Sequence, residues 1–345
     1  MVDIHKSFLE PFFKEMSLKY KNEWCVLHSY ETLPFYSASD VDMVFSGNDV
    51  KGLENLIHDV AIQNGWHVLQ KLWYDIETCH YYILKSCNNE VYLALDFLID
   101  NRGIGRYGFK TSILTKACKV EKTNILVPNS EVAFTYKFVK RLVKKRDMIE
   151  DSQYMDSHYS KSNKDHLLRL LVDQFGEKST ELITKCLEST NYILDENDNN
   201  ILLRNRAEIL NQKSSVITRK ALSLRRIFNR VLFPSGMIIH VPIAQKKSLE
   251  IFKSNLEKKV SITFRFVKLN SENSFINKIK WMSGSTLVIC ETNKADHICK
   301  IRWSWLRTKK VAIESEDLND LDYLSEICKE EIIKTLTRRK MIRKV

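Results

Sequence analysis

The chain has 345 residues, 44% of them hydrophobic and 28% charged. That is enough apolar material to bury a core in each of two or three domains, and it excludes wholesale disorder. Nine glycines and five prolines exclude collagen-like and linker-like architectures; no glycine is followed by lysine, so the phosphate-cradling loop GxxxxGK[ST] is absent.

The net charge of +11 is unevenly placed: residues 1–125 hold 13 Lys/Arg against 16 Asp/Glu, whereas residues 126–345 hold 41 against 27. A basic second part suits a polyanion (nucleic acid, nucleotide or an anionic membrane surface), and it equally suits a lysine-rich solvated surface. The eight cysteines show no CxxC spacing and no zinc-finger arrangement with histidine. The start, MVDIHKSFLEPFF, lacks the apolar core of a secretory signal. The longest uncharged apolar stretch, Val231–Gln245, is broken by Pro234, Gly236 and Pro242. Free thiols, a cytoplasmic location and no transmembrane segment are therefore expected.

In chain order, Phe8, Phe12, Met16 and Tyr20 predict a helix over 4–22. Trp24–Leu27 and Val41–Phe45 read as strands, Val50–Asn64 as a helix ended by Gly65, and Trp66–Trp73, His80–Lys85 and Glu90–Ile99 as strands. From about Ser130 the texture turns helical: Val132–Lys145, Lys164–Phe175, Ser179–Ser189 and Asn200–Ile209, followed by a basic connector over 212–230. A third texture, with β-runs at Met237–Val241, Val260–Leu269, Thr286–Cys290 and Val311–Ile313 and helical runs between some of them, closes with a helix over Asp317–Arg338. The predicted class is α/β, with domains at 1–125, 126–230 and 231–345.

The most informative string is Ser39-Asp40-Val41-Asp42-Met43-Val44-Phe45. Carboxylates at i and i+2 on a strand share a face, and like charges so close repel unless a cation lies between them. Tyr92-Leu-Ala-Leu-Asp96-Phe-Leu places a third carboxylate in an apolar run, where burial is costly without a metal or a partner. Asp100 competes for that role but stands at the strand's end. Asp40, Asp42 and Asp96 are thus candidate ligands of Mg2+ or Mn2+, since oxygen-only donors suit these ions. Three carboxylates from two strands fit two-metal phosphoryl or nucleotidyl transfer, with Asp96 as the catalytic candidate. A lysine or arginine set among them would remove that need for a cation.

The run Ser39-Asp-Val-Asp42, a following helix and a later apolar strand with Asp96 resemble the nucleotidyltransferase fold shared by DNA polymerase β and related enzymes. The match is closer to nucleotidyltransferase-like proteins of bacterial surface-polysaccharide gene clusters. It extends to His28-Ser-Tyr30-Glu31-Thr-Leu33-Pro34, to Arg102-Gly-Ile-Gly105-Arg-Tyr107 and to Phe134-Thr-Tyr-Lys137-Phe-Val-Lys140. The resemblance implies a nucleoside triphosphate as one substrate and a polysaccharide precursor or other hydroxyl compound as acceptor. It also implies a triphosphate contact from Ser39, although the family's usual Gly-Ser is Ala38-Ser39 in this sequence, and arginine is common where His28 stands.

Residues from Pro234 onward resemble a thymidylate-kinase-like domain. It is truncated, and its phosphate loop is replaced by the glycine-free His240-Val-Pro-Ile-Ala-Gln-Lys246-Lys247-Ser248. The expectation is a kinase-like relic without catalysis, in which Lys246–Ser248 is either a decayed remnant of the loop or the first turn of an exposed helix.

Lys137, Lys140, Arg141 and Lys144 are candidates for a polyanion groove or a solvated helix face. Arg219, Lys220, Arg225, Arg226 and Arg230 are open to nucleic-acid contact or domain packing, and Trp281, Trp303 and Trp305 to base stacking or core. Three functional readings follow: metal-dependent nucleotidyl transfer, a catalytically inactive nucleotide- or partner-binding relative, and a nucleotidyltransferase acting on RNA ends, for which nucleic acid is the partner.

Overall fold

The computed structural model describes residues 4–37, 40–73, 79–100, 108–119, 125–144, 149–188, 194–213, 216–232, 236–243, 245–261, 266–269, 286–291, 298–302, 308–312 and 320–341. It is mixed α/β, with eleven α-helices and two mixed five-stranded sheets among those residues. The chain forms two compact units, Met1–Asn64 with Tyr74–His80 and Leu93–Ser223, and Gly65–Trp73 with Tyr81–Tyr92 and Leu224–Val345.

In the first unit α1 (Ile4–Lys19) buries Phe8, Phe12 and Met16, one turn apart, together with Leu9 and Phe13. Phe13 stacks on Trp24 at 5.6 Å, and Phe12 meets Phe97 edge-on. These rings tie the helix to β1 (Trp24–Val26) and β5 (Tyr92–Leu98). Between those strands in sequence come β2 (Val41–Phe45) and α2 (Val50–Gln63), then β3 (Trp66–Trp73) and β4 (Cys79–Ser86), of which β3 and β4 from Tyr81 onward belong to the second unit. Asp49 caps α2 by accepting a hydrogen bond from the Gly52 amide at 2.8 Å. The sheet order is β1-β2-β5-β4-β3. β1 runs antiparallel to β2, and β2 parallel to β5, with Asp42 directly opposite Asp96.

Beyond β5 lie α3 (Thr111–Leu114) and a small antiparallel pair, β6 (Ala117–Lys119) and β7 (Leu126–Pro128). The helical layer follows: α4 (Ser130–Lys144), α5 (Ser152–Lys161), α6 (Lys164–Phe175), α7 (Glu177–Glu188) and α8 (Glu196–Lys213). Its core joins Phe134, Phe138, Leu142, Leu167, Leu171, Phe175 and Leu202 to Cys25, Leu27 and Val44 of the sheet side. Gly176 ends α6 at φ +80°, a conformation that costs any side-chain-bearing residue more than glycine. Buried Glu131, in the first turn of α4, accepts a 2.7 Å hydrogen bond from the Asn163 amide, and the Asn163 side chain in turn caps α6.

The basic stretch anticipated as a connector is instead a helix, α9 (Val216–Leu232). It contains neither glycine nor proline, and it is rich in leucine, alanine, lysine and arginine, all good helix formers.

The second unit has β8 (Met237–Val241), α10 (Lys246–Val260), β9 (Phe266–Leu269), β10 (Thr286–Glu291), β11 (Ile298–Arg302), β12 (Thr308–Ala312) and α11 (Leu321–Met341). The strand order is β12-β11-β8-β10-β9; β8, β9 and β10 are parallel, and β11 is antiparallel to β8 and β12. Ile239, Leu287, Ile289 and Ile301 pack with Phe252 and Leu256 of α10 and with Leu324, Cys328 and Ile332 of α11.

The expected β-run over 260–269 is corrected at its start. Leu249, Phe252, Leu256 and Val260 keep a helical spacing and are all buried, so α10 continues through Val260. Lys246 and Lys247 are exposed in the first turn of α10.

Candidate functional site

The site grows from two neighbouring strands of the first unit. β2 buries Val41, Met43 and Phe45 on one face, which turns Asp42 to the other, the face it shares with buried Val44. β5 is built the same way: Leu95 and Phe97 are buried and flank Asp96. Because the strands are parallel with Asp42 opposite Asp96, and Asp40 stands two residues before Asp42, the three carboxylates share one side. Each offers an oxygen within 4.8 Å of the others. Asp100 is buried beyond the end of β5 and is not one of the three.

Two further groups reach Asp42. The Leu27 amide donates to the Asp42 carbonyl at 2.8 Å, so the chain leaving β1 passes beside β2 and delivers His28. Ser29 turns the backbone there at φ +57°, and its hydroxyl lies 3.1 Å from His28 Nδ1. His28 Nε2 is 2.7 Å from Asp42 Oδ2. Beside it α4 presents Lys140, whose Nζ is 3.3 Å from the same oxygen and 2.7 Å from His28 Nε2. A single ring nitrogen cannot both donate to Oδ2 and accept from Nζ, so Lys140 and His28 compete for one hydrogen-bond position on the imidazole.

The electrostatics follow from this geometry. Burial pushes the Asp42 carboxyl up, but His28 and Lys140 outweigh it and hold the group well below the usual carboxylate range. Asp40 moves the other way: burial and then the charge of Asp42 raise it, with Lys140 only partly compensating. Lys140 and His28 both bear on the Asp42 carboxylate. The all-oxygen donor set fits a hard divalent cation such as Mg2+, and the carboxylate oxygen held by Lys140 and His28 is where such an ion would meet competition.

The other candidates fall differently. Lys137 Nζ is 3.1 Å from Asp151 Oδ2, and Arg141 pairs with Asp151 and, through Nη1 at 2.7 Å, with Glu150. Two of the four groove candidates are thus held by acids just beyond α4, a third by Asp42, and Lys144 is half-buried. His28 entered the sequence reading only through a family motif and Lys140 only as a groove cation. Nothing in their spacing, 112 residues apart, announces that they meet on one carboxylate. Ser39, Arg102–Tyr107, Trp281, Trp303 and Trp305 lie outside the described residues.

No protein-family model matches the chain, and no curated protein matches it. Among solved structures it is similar to JHP933 from Helicobacter pylori, at 13% identity over 65% of this chain and 96% of that one. The TM-score is 0.29, a likeness too slight to assign fold or activity.

Proposed function

We propose that the first unit is a metal-dependent nucleotidyltransferase, moving a nucleotidyl group from a nucleoside triphosphate to an acceptor hydroxyl. The observation that carries the reading is the convergence of Asp40, Asp42 and Asp96 within 4.8 Å from adjacent parallel strands. Asp40 and Asp42 would hold Mg2+ or Mn2+, which supplies charge for the triphosphate and lowers the cost of ionising the attacking hydroxyl. Asp96 would accept the hydrogen bond of that hydroxyl and so orient its oxygen towards the α-phosphorus, from which pyrophosphate leaves. The resemblance of the sequence adds Ser39 as a triphosphate contact and a surface-polysaccharide precursor as acceptor, and the cysteine pattern suits a cytoplasmic location. That resemblance also reads residues 231–345 as a truncated kinase-like domain without its phosphate loop.

The test pairs calorimetric titration of Mg2+ and each nucleoside triphosphate with an assay of pyrophosphate release. Mg2+-dependent release that falls by about a hundredfold or more in Asp96→Asn, with folding retained, is the expected result. Turnover unchanged in that variant removes Asp96 from the mechanism.

A second reading has its own support, the ammonium of Lys140 on Asp42. A lysine in that position stabilises acidic groups without any metal, as in a relative that binds a nucleotide or a partner and does not turn it over. Nucleotide binding without pyrophosphate release would favour this reading over the first.

A further inference from the structure

The carboxylate site makes no use of α9, whose chemistry differs from that of every other described helix. Its sequence, VITRKALSLRRIFNRVL, has five basic residues (Arg219, Lys220, Arg225, Arg226 and Arg230) and no acidic one. Ile217, Leu224, Ile227 and Phe228 stand at i, i+7, i+10 and i+11, which places them on one face. They are 80%, 67%, 50% and 62% exposed. Single exposed apolar side chains are ordinary, and no other described helix exposes more than two large ones. At about 100° per residue, positions 219, 225, 226 and 230 fall on the arc opposite that stripe, with 225 bordering one of its edges and 230 the other. Position 220 falls inside the apolar arc; Lys220 is exposed there, and a lysine stem can lie along an apolar surface while its ammonium reaches outward.

Whatever covers the stripe also meets the cations at its borders. Nucleic acid would use the cations and leave four large apolar groups in water. A lipid surface with anionic headgroups uses both: the stripe enters the outer acyl region and the flanking cations meet phosphates at the boundary. No described helix is long and apolar enough to cross a membrane, and the 17 residues of α9 would lie along a surface for about 25 Å.

We propose that α9 seats this protein on an anionic lipid surface, lying parallel to it with Ile217, Leu224, Ile227 and Phe228 inserted and the basic positions 220, 225 and 230, within or bordering the stripe, at headgroup level. The attachment is peripheral and reversible, and it does not depend on the metal site.

The test is flotation of the full chain with vesicles, free of nucleotide and of divalent metal. One set is phosphatidylcholine alone, the other phosphatidylcholine mixed with phosphatidylglycerol. Binding is expected to the mixed vesicles only, to weaken with added salt, and to fall by at least about tenfold in Leu224→Glu/Phe228→Glu, whose circular dichroism and thermal midpoint stay unchanged. Should that pair of substitutions impair folding, Phe228→Ser alone carries the same comparison. Failure to float, equal binding to neutral vesicles, or binding indifferent to both variants overturns the proposal. So does a dimer in light scattering, or RNA capture without flotation, that is lost in Leu224→Glu/Phe228→Glu, since another occupant then covers the stripe.

Discussion

Each five-stranded sheet contains a parallel strand pair, and the two pairs are stabilised differently. In β8 and β10 the opposed residues are Met237 with Leu287, Ile238 with Val288 and Ile239 with Ile289, all buried and apolar. In β2 and β5 the corresponding sequence is Val41 with Leu95, Asp42 with Asp96 and Met43 with Phe97. The first pair is complete as hydrocarbon. The second places facing carboxylates between apolar pairs, where they must be offset by a cation, and in the metal-free chain Lys140 provides part of that offset. A strand pair of the first kind serves stability alone, whereas one of the second kind gives up stability for a place where charge can be exchanged.

The contrast can be broken most severely on the apolar side. Phe252→Ala, removing a fully buried ring from the second unit, should cost about 3–5 kcal/mol in a denaturant titration, and the loss should be the same in EDTA and in Mg2+. An Mg2+-sensitive loss would show that the two units do not behave independently.

A smaller effect is expected on the charged side. Lys140→Met takes the ammonium group away from Asp42, and should cost about 1–3 kcal/mol in EDTA, with most of it restored by millimolar Mg2+. A loss that Mg2+ leaves untouched would mean that the cluster does not take the ion.

The smallest effect should come from Asp40→Asn. Because its folded-state value is raised, Asp40 contributes stability below its ordinary pKa that is lost as pH rises through the raised value. Removing the charge should therefore stabilise the metal-free chain at pH 7, by less than about 1 kcal/mol, and flatten that part of the pH profile. Asp42 has the opposite sign: its contribution is present above the ordinary carboxylate range and is lost as pH falls through its depressed folded value. A chain in which Asp40→Asn destabilises at pH 7 in EDTA would reverse the assignment of which carboxylate carries the excess charge.

Much of this contrast is legible in the sequence because it is local. Strand alternation places Asp40 and Asp42 on one side, and the apolar run around Asp96 marks it as a costly burial that needs a reason. The stripe of Phe8, Phe12 and Met16 likewise gives α1. What escapes is long-range. Lys140 looks like any cation on an amphipathic helix, since only the tertiary packing of Phe134, Phe138 and Leu142 decides that α4 turns it towards β2. Local ambiguity accounts for the rest: Val260 reads equally well as the last residue of a helix or the first of a strand. Positions 212–230 read as a connector because their charge is more conspicuous than their 3.6-residue apolar repeat.

The hydrogen bond from the Asn163 amide to Glu131 carries a consequence for the first unit. It fastens the root of α4 to the root of α6, so both helices are anchored at the same point. Lys140, about two and a half turns beyond Glu131 on α4, is therefore aimed by that anchor together with the packing of Phe134, Phe138 and Leu142. Glu131 touches no part of the acidic cluster, yet loosening it would let that part of α4 swing. Glu131→Gln, which keeps an acceptor for the amide, should leave the aim of Lys140 intact, whereas Glu131→Ala should slacken it.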